Sequence, residues 1–464
     1  MSAPPHQTLD VELAVIGYGK AGKTLAATLG RLGRRVVMIE QSAQMYGGTC
    51  INIGCVPTKS FVHQGEMLPA GATRSHHEFT HAARATHELT AGMRAANLAM
   101  LTGLDSVTVL TGRARFTDPH TVLVDNQDGH TTAVHADHIV VGTGAVPVIP
   151  DIPGLRTNPA VMTSTDLLAT TQLPERLAII GGGYVGLEFA AMYARFGAHV
   201  TVIERGPRIL AHEDDDIADA VGFLLSKLGV TVLTDSLVTD VSDEPGPATV
   251  HYTHGSASGT ITTDAVLVAV GRTPATAGLD LDKAGVHTTA AGAITVDAHL
   301  RTNQPHIFAV GDVNGGPQFT YISLDDHRIV LDQLIGSGTR STDDRVAVPY
   351  TVFTTPPLSR VGLTEAQARA TGRPIKVATA AVSALTTVAR AQIVGVAEGL
   401  MKVVVDASTD HILGAALLSY DSHEVINTVA LAMRHDISAT ALRDSIYTHP
   451  SMTEAFNQLL SQLA

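Results

Sequence analysis

Gly17-Tyr18-Gly19-Lys20-Ala21-Gly22-Lys23-Thr24 satisfies two incompatible patterns at once. As G-x-G-x-x-G, it sits between the apolar run Val11 to Ile16 and a helix ending near Gly33. That is the turn of a dinucleotide-binding unit: its glycines allow the tight bend and let a pyrophosphate approach the helix N-terminus. Arg35 to Ile39 is then the next strand, and Glu40 closes it, where a carboxylate can accept from ribose hydroxyls. As G-x-x-x-x-G-K-T, the same residues form a phosphate loop, and Ile307-Phe308-Ala309-Val310-Gly311-Asp312 supplies the acid-bearing strand such a loop needs. A second copy decides. Ala178-Ile179-Ile180-Gly181-Gly182-Gly183-Tyr184-Val185-Gly186 repeats strand, turn and helix, and His199 to Ile203 with Glu204 repeats strand and acid. First glycine and acid lie 23 positions apart in both copies, 17 to 40 and 181 to 204, and the second copy has no GK[ST]. Two dinucleotide sites account for both copies; a phosphate loop accounts for one.

The repeat continues. His138-Ile139-Val140-Val141-Gly142-Thr143-Gly144 and Ala265-Val266-Leu267-Val268-Ala269-Val270-Gly271 are apolar runs ending in glycine, preceded by Asp137 and Asp264. From first glycine to this glycine is 125 residues in copy one and 90 in copy two. The surplus matches a helical segment over 60–103. Val107 to Leu110 and Val230 to Leu233 read as meander strands of the two copies. From about Val346 the glycine fingerprint is gone, and strands at 348–353, 402–405 and 412–418 precede two helices. The expected fold is α/β, with two Rossmann-like domains and a C-terminal α+β interface domain. The expected boundaries are 1–150 (with a redox insert over 45–103), 151–275, 276–345 as the remainder of the first domain, and 346–464.

The only two cysteines of the 464 residues lie in Met45-Tyr46-Gly47-Gly48-Thr49-Cys50-Ile51-Asn52-Ile53-Gly54-Cys55-Val56-Pro57-Thr58-Lys59. One pair is no disulfide framework, which needs several bridges. On an ideal helix the two Cα atoms would be roughly 8–9 Å apart, beyond the ~7 Å reach of a bridge. The backbone must therefore be irregular near Gly54, with Pro57 in the first turn of a following helix. Thiols at a helix N-terminus with Lys59 one turn on are expected to ionise easily. The bland alternative is two small buried apolar residues.

Hydrophobic content of 45% with 16% charged residues indicates buried sheets rather than disorder. A net charge of −13 argues against nucleic acid or anionic membrane as partner. No run approaches twenty apolar residues, and no basic start with an apolar core marks a secretory signal, so a cytoplasmic location is expected. His77 and His81, at i and i+4, could share a helix face and hold a metal; in a chain with 22 histidines a solvated face is the plainer reading, and no metal site is assigned. Asp312, at the end of the run 307–310, can take a ribose or ribityl hydroxyl. Tyr447-Thr448-His449-Pro450-Ser451-Met452-Thr453-Glu454 sets a carboxylate five residues after a histidine, an arrangement for an oriented base, with His449–Pro450 a place for a cis bond.

With these residues in view, the whole chain resembles the class I flavoprotein disulfide reductases, alongside lipoamide dehydrogenase, glutathione reductase and mercuric reductase. Within them it is most similar to the reactive-chlorine-resistance reductases, reported to act on hypothiocyanous acid or Cu(II). The likeness is carried by residues 17–24, 45–59, 315–326, 340–345 and 356–362. It implies that Gly17, Gly19, Gly22, Glu40, Gly48, Thr49, Lys59, Ala114, Gly144 and Asp312 bind FAD. It likewise implies that Gly181, Gly183, Tyr184, Gly186, Glu204 and Gly271 bind NADH, with Tyr184 as a gate over the flavin. Glu204 would repel a 2′-phosphate, while Arg205 and Arg208 keep NADPH in play. Cys55 would face the flavin, Cys50 would meet the substrate, and Lys59 would lie near flavin N5, paired with Glu188. His449, steadied by Glu454, would come from the second subunit of a homodimer. Electrons would run from nicotinamide through flavin to a Cys50–Cys55 bridge and on to a small oxidant, in oxidative-stress defence. A dihydrolipoamide dehydrogenase or other disulfide reductase is the alternative. The further C-terminal cysteine pair of mercuric and large thioredoxin reductases is absent.

Overall fold

The computed structural model describes residues 7–68, 76–242 and 247–463. They form two compact units: one from the described parts of 1–60, 83–148 and 271–345, the other from those of 61–82, 149–270 and 346–464.

In the first unit, Gln7–Ile16 pairs in parallel with Val36–Glu40 on one side and Thr131–Val141 on the other. Val107–Asp118 and Ile307–Ala309 extend the parallel set at its two edges. Strand residues alternate sides, and both sides are buried: Leu13, Val15 and Met38 enter one apolar cluster with the helix Lys20–Arg31, while Ala14, Ile16, Val37 and Ile39 enter the other. Near-continuous apolar runs in the sequence are what a sheet covered on both faces requires.

The second unit repeats the plan. Five parallel strands stand in the order Thr231–Leu233, His199–Ile203, Arg176–Ile180, Ala265–Val268, Val161–Met162, with the helix Tyr184–Phe196 after the first glycine turn. The C-terminal part is a five-stranded antiparallel sheet, ordered Tyr350–Val352, Leu358–Gly362, Ile412–Leu418, Leu400–Asp406, Ile375–Ala381. The helix Ser422–Arg434 buries Val425, Ile426 and Val429 in its core.

Two sequence expectations need correction. Val230 to Leu233 is no meander strand: Thr231–Leu233 is the parallel edge of the second sheet, and the meander is Ser236–Val241, Ala248–His254 and Ala257–Thr263. In the first unit one long strand does both jobs, with Val107–Thr111 parallel to Val36–Glu40 and Gly112–Asp118 antiparallel to Thr121–Asn126. In the second unit Asp235, at φ 48°, breaks that strand in two. The C-terminal sheet also has strands at Leu358–Gly362 and Ile375–Ala381 that the apolar pattern did not flag.

Candidate active site

The two glycine turns are built alike. Gly17 (φ 102°) and Gly181 (φ 111°) occupy the left-handed region, and a Cβ there would lie 2.3 Å from Gly142 O and 2.6 Å from Ala269 O. Cβ atoms on Gly22 and Gly186 would press to 2.7 Å from Gly17 O and 2.1 Å from Gly181 O, so these two bring each helix against its own turn. The middle glycines differ: a Cβ on Gly183 meets nothing within 4 Å, and on Gly19 only Gly142 O at 3.6 Å. Space over both turns is thus left open at a helix N-terminus, where an anion is favoured. Each acid braces its turn. Glu40 accepts from Tyr18 N–H (3.0 Å) and Ser42 N–H (3.2 Å), and Glu204 from Gly182 and Gly206 N–H (both 2.7 Å). Burial pushes the Glu40 carboxyl up, against its backbone donors.

The cysteine stretch rests on the first turn. Gly48, at φ 80°, comes so close that a Cβ would stand 2.6 Å from Gly19 Cα. Thr49–Asn52 is one short helix, Ile53 and Gly54 interrupt it, and Cys55–Glu66 is the next, with Pro57 in its first turn. Asn52 Nδ2 donates to Tyr46 O (3.0 Å) and Gly48 O (2.9 Å), and Arg94 Nε holds Asn52 Oδ1 at 2.9 Å. The break that reach demands is present, and it brings Cys50 and Cys55 into a thiol hydrogen bond. Cys55 Sγ lies 3.5 Å from Thr320 Oγ1. Easy ionisation of Cys50 does not hold. The hydrogen bond to Cys55, then burial, then the charge at Cys55 push the Cys50 thiol up and outweigh the Thr320 hydrogen bond and the charge of Lys23, which favour the thiolate.

Asp312 tests the fit of a flavin dinucleotide. It follows the strand Ile307–Ala309 in the turn Gly311–Asn314; burial raises its carboxyl while Arg272 pulls it down, and the carboxylate accepts from its own backbone N–H. A desolvated carboxylate with acceptor capacity to spare suits a sugar hydroxyl. Gly144 (φ 75°) lies near Thr49, whose Oγ1 would be 3.9 Å from a Cβ there, and Gly271 O accepts from Val148 N–H at 3.0 Å. Ala114 pairs with Val124 in the meander of the same unit. The residues present fit FAD.

With this geometry in hand, residues 11–326 match the family model for pyridine nucleotide-disulphide oxidoreductases, and residues 348–460 match that family's dimerisation domain. The chain belongs to this family. It is therefore an oxidoreductase of the flavoprotein disulfide reductase type, and FAD and NAD(P)H are the family's cofactors. It is 46% identical over 97% of its length, and 98% of the relative's, to the probable pyridine nucleotide-disulfide oxidoreductase RclA of Escherichia coli. The dihydrolipoyl dehydrogenase of Mycobacterium tuberculosis is 32% identical over 96% of this chain and 97% of its own. Among solved structures, the Cu(II) complex of the HOCl-induced flavoprotein disulfide reductase RclA from Escherichia coli superposes with TM-score 0.93 at 45% identity, covering 98% of this chain and 100% of that one. No helix among the described residues is long and apolar enough to cross a membrane.

Family membership removes the phosphate-loop reading, and the local structure agrees. Lys23 Nζ donates to Asn97 Oδ1 (2.6 Å) and Gly47 O (3.2 Å), and Thr24 Oγ1 to Lys20 O (2.6 Å), so neither serves a nucleotide's phosphate or its metal. The remaining expected site residues divide between the units: Lys59 lies in the helix Cys55–Glu66, while Glu188 in the other unit accepts from Phe353 N–H at 2.8 Å. His449 Nδ1 and Glu454 Oε1 are 2.9 Å apart, next to a cis Pro450. Burial works against ionisation of Glu454, but Ser451 N–H and His449 hold its carboxyl below the usual range. The His449 side chain is 66% exposed. Arg208 pairs with Asp215 at the start of the helix Asp215–Lys227, and Arg205 is exposed. His77 and His81 line a cavity with Gln64 and Phe196, and among the described residues no three metal-binding side chains converge.

Sequence reading missed Tyr350. Its ring lies 5.4 Å from that of Tyr184, the two hydroxyls are hydrogen-bonded, and its own hydroxyl donates to Glu213 Oε1 at 2.5 Å. Glu213, fully buried, takes Arg360 Nε on its other oxygen at 2.5 Å. Arg360 lies in the quoted stretch 356–362, but no motif marked Tyr350 or Glu213, which come from segments far apart in the chain.

Proposed function

We propose that this chain is a homodimeric, FAD-bearing NADH reductase that passes two electrons through Cys50 and Cys55 to a small oxidant, hypothiocyanous acid foremost and Cu(II) next, in defence against reactive oxidants. The observation that carries this is the broken helix that sets the only two cysteines against each other beside the first glycine turn. The resemblance in sequence and fold to RclA, along nearly its whole length, supports the substrate class. FAD would be held by Gly17, Gly19, Gly22, Glu40, Gly48, Thr49, Lys59, Ala114, Gly144 and Asp312; NADH by Gly181, Gly183, Tyr184, Gly186, Glu204 and Gly271. Bound FAD supplies a two-electron carrier between nicotinamide and sulfur.

The chain's own chemistry is that of its thiols. As thiolate, Cys50 attacks the sulfur of hypothiocyanous acid, forming an S–S bond and releasing hydroxide, which takes a proton to become water. Cys55 then attacks Cys50, restoring the bridge and expelling thiocyanate. His449 of the partner subunit, oriented by Glu454, donates and accepts the protons. Glu204 already holds two backbone donors and favours an unphosphorylated ribose, so NADH is preferred over NADPH.

The test is stopped-flow reduction by NADH, followed by challenge with hypothiocyanous acid, Cu(II), lipoamide and glutathione disulfide. Cys50→Ser is expected to keep flavin reduction and lose turnover of every oxidant. Undiminished turnover in that variant would mean that electrons bypass the sulfurs. Lipoamide as the best acceptor would move the chain to the dihydrolipoyl dehydrogenases.

A further inference from the structure

The dinucleotide reading leaves Lys23 unexplained. A fingerprint helix needs no lysine after its third glycine, yet this one is only 6% exposed. Its ammonium donates to Asn97 Oδ1 on the helix His76–Thr102 and to Gly47 O in the cysteine stretch. Neither acceptor is charged, and among the described residues no carboxylate pairs with it. The charges that act on it are Lys20, of like sign, and Cys50, of opposite sign. A buried ammonium without a counter-charge is costly, and Cys50 is a group that can become an anion and whose charge acts on it.

We propose that Lys23 is a positioning residue for the redox pair: it ties the Gly47–Gly48 turn to the flavin-binding helix, and its charge is the counter-charge of the Cys50 thiolate. This rests on reading Cys50 as the sulfur that meets the substrate. The groups around the pair are few. Cys55 and Thr320 bond with the sulfurs, and Tyr321 feels the charge of Cys55. Tyr18 donates to Asn97 O, and Arg94 is occupied by Asn52 and Gln44. Lys23 is a cation that acts on Cys50: with the Thr320 hydrogen bond it lowers the cost of ionising that sulfur, while Cys55 and burial raise it. Burial lowers Lys23 itself to about 8, which leaves it charged at neutral pH. The lysine thus offsets repulsion at the moment two reduced sulfurs share one small space, which eases the nucleophilic step and favours the reduced pair over the disulfide.

The experiment alkylates the phosphine-reduced holoenzyme without oxygen, following the Cys50 peptide by mass spectrometry from pH 5 to 10. Three variants are compared with the native chain: Lys23→Met, Lys23→Gln (a donor without charge) and Asn97→Asp (an isosteric carboxylate on the ammonium). Each is expected to move the Cys50 profile up by about one unit, making alkylation at pH 7 about tenfold slower. A merely structural lysine predicts that Lys23→Gln, which keeps an uncharged donor, leaves the profile in place. An unmoved profile in Asn97→Asp overturns the assignment even if both Lys23 variants fail to fold. Phosphine reduction needs no NADH, so a native enzyme that NADH cannot reduce would sink the proposed function and leave the Lys23 result standing.

Discussion

Replacing Gly183 by alanine separates cofactor recognition from folding. Gly183 has φ −84° and ψ −175°, which any residue adopts, and a Cβ there meets no atom of the chain within 4 Å. The folded protein should gain, by about 0.4–1 kcal/mol, because alanine restricts the unfolded chain. On the proposed assignment the dinucleotide should lose, because the methyl group would occupy the opening through which a pyrophosphate would reach the N-terminus of the helix Tyr184–Phe196. Loss of two amide bonds to a charged oxygen costs about 3 kcal/mol, or roughly a hundredfold in affinity. Gly181→Ala is the opposite control: at φ 111°, with Ala269 O at 2.6 Å, it strains the fold itself, by about 1–3 kcal/mol or more. Guanidinium midpoints report the first quantity, and the NADH dependence of single-turnover flavin reduction reports the second. Native affinity in Gly183→Ala would refute the assignment of this turn to the pyrophosphate.

Tyr350→Phe removes the hydroxyl between Tyr184 and buried Glu213. It should lower stability by about 1.5–3 kcal/mol and free the Tyr184 ring, seen as a changed rate of reduction by NADH; additivity with Glu213→Gln in a double-mutant cycle would deny the coupling. Asp214 gives an acid-side prediction. Burial raises its carboxyl, but Glu365 and Ala366 N–H (3.0 and 3.1 Å), Lys402 and Arg360 outweigh that and hold it below the usual range. The unfolded chain therefore binds the proton more readily; the stability from this site is complete above the ordinary aspartate value and is lost as pH falls through the folded one. Asp214→Asn should flatten that part of an acid-unfolding curve measured by circular dichroism.

What was legible in the sequence was what local geometry alone enforces. Gly17 and Gly181 need a left-handed φ, Glu40 and Glu204 end the next strands, and the Cys50–Cys55 spacing forces the helix to break; each is written within some twenty residues. What was hidden depends on distant neighbours. The Cys50 thiol is raised by a sulfur folded back against it, which composition near a helix N-terminus does not reveal. Lys23 resembled a phosphate ligand until Asn97, on a helix far along the chain, was seen to hold it. The strand Thr231–Leu233 joined the parallel sheet rather than the meander because Asp235 bends the chain just after it, a choice of partner that an apolar run does not encode.

The first sheet is closed by Ile307–Ala309, which joins Ile139–Val141 only after the whole second dinucleotide fold has intervened in the chain. During synthesis, the backbone of Ile139, Val140 and Val141 is therefore a bare, sticky border for on the order of ten seconds or more. Such borders recruit other nascent chains. Shielding by a ribosome-associated chaperone would matter most in that interval, and fragments that stop short of residue 309 should come out of cells as inclusion bodies.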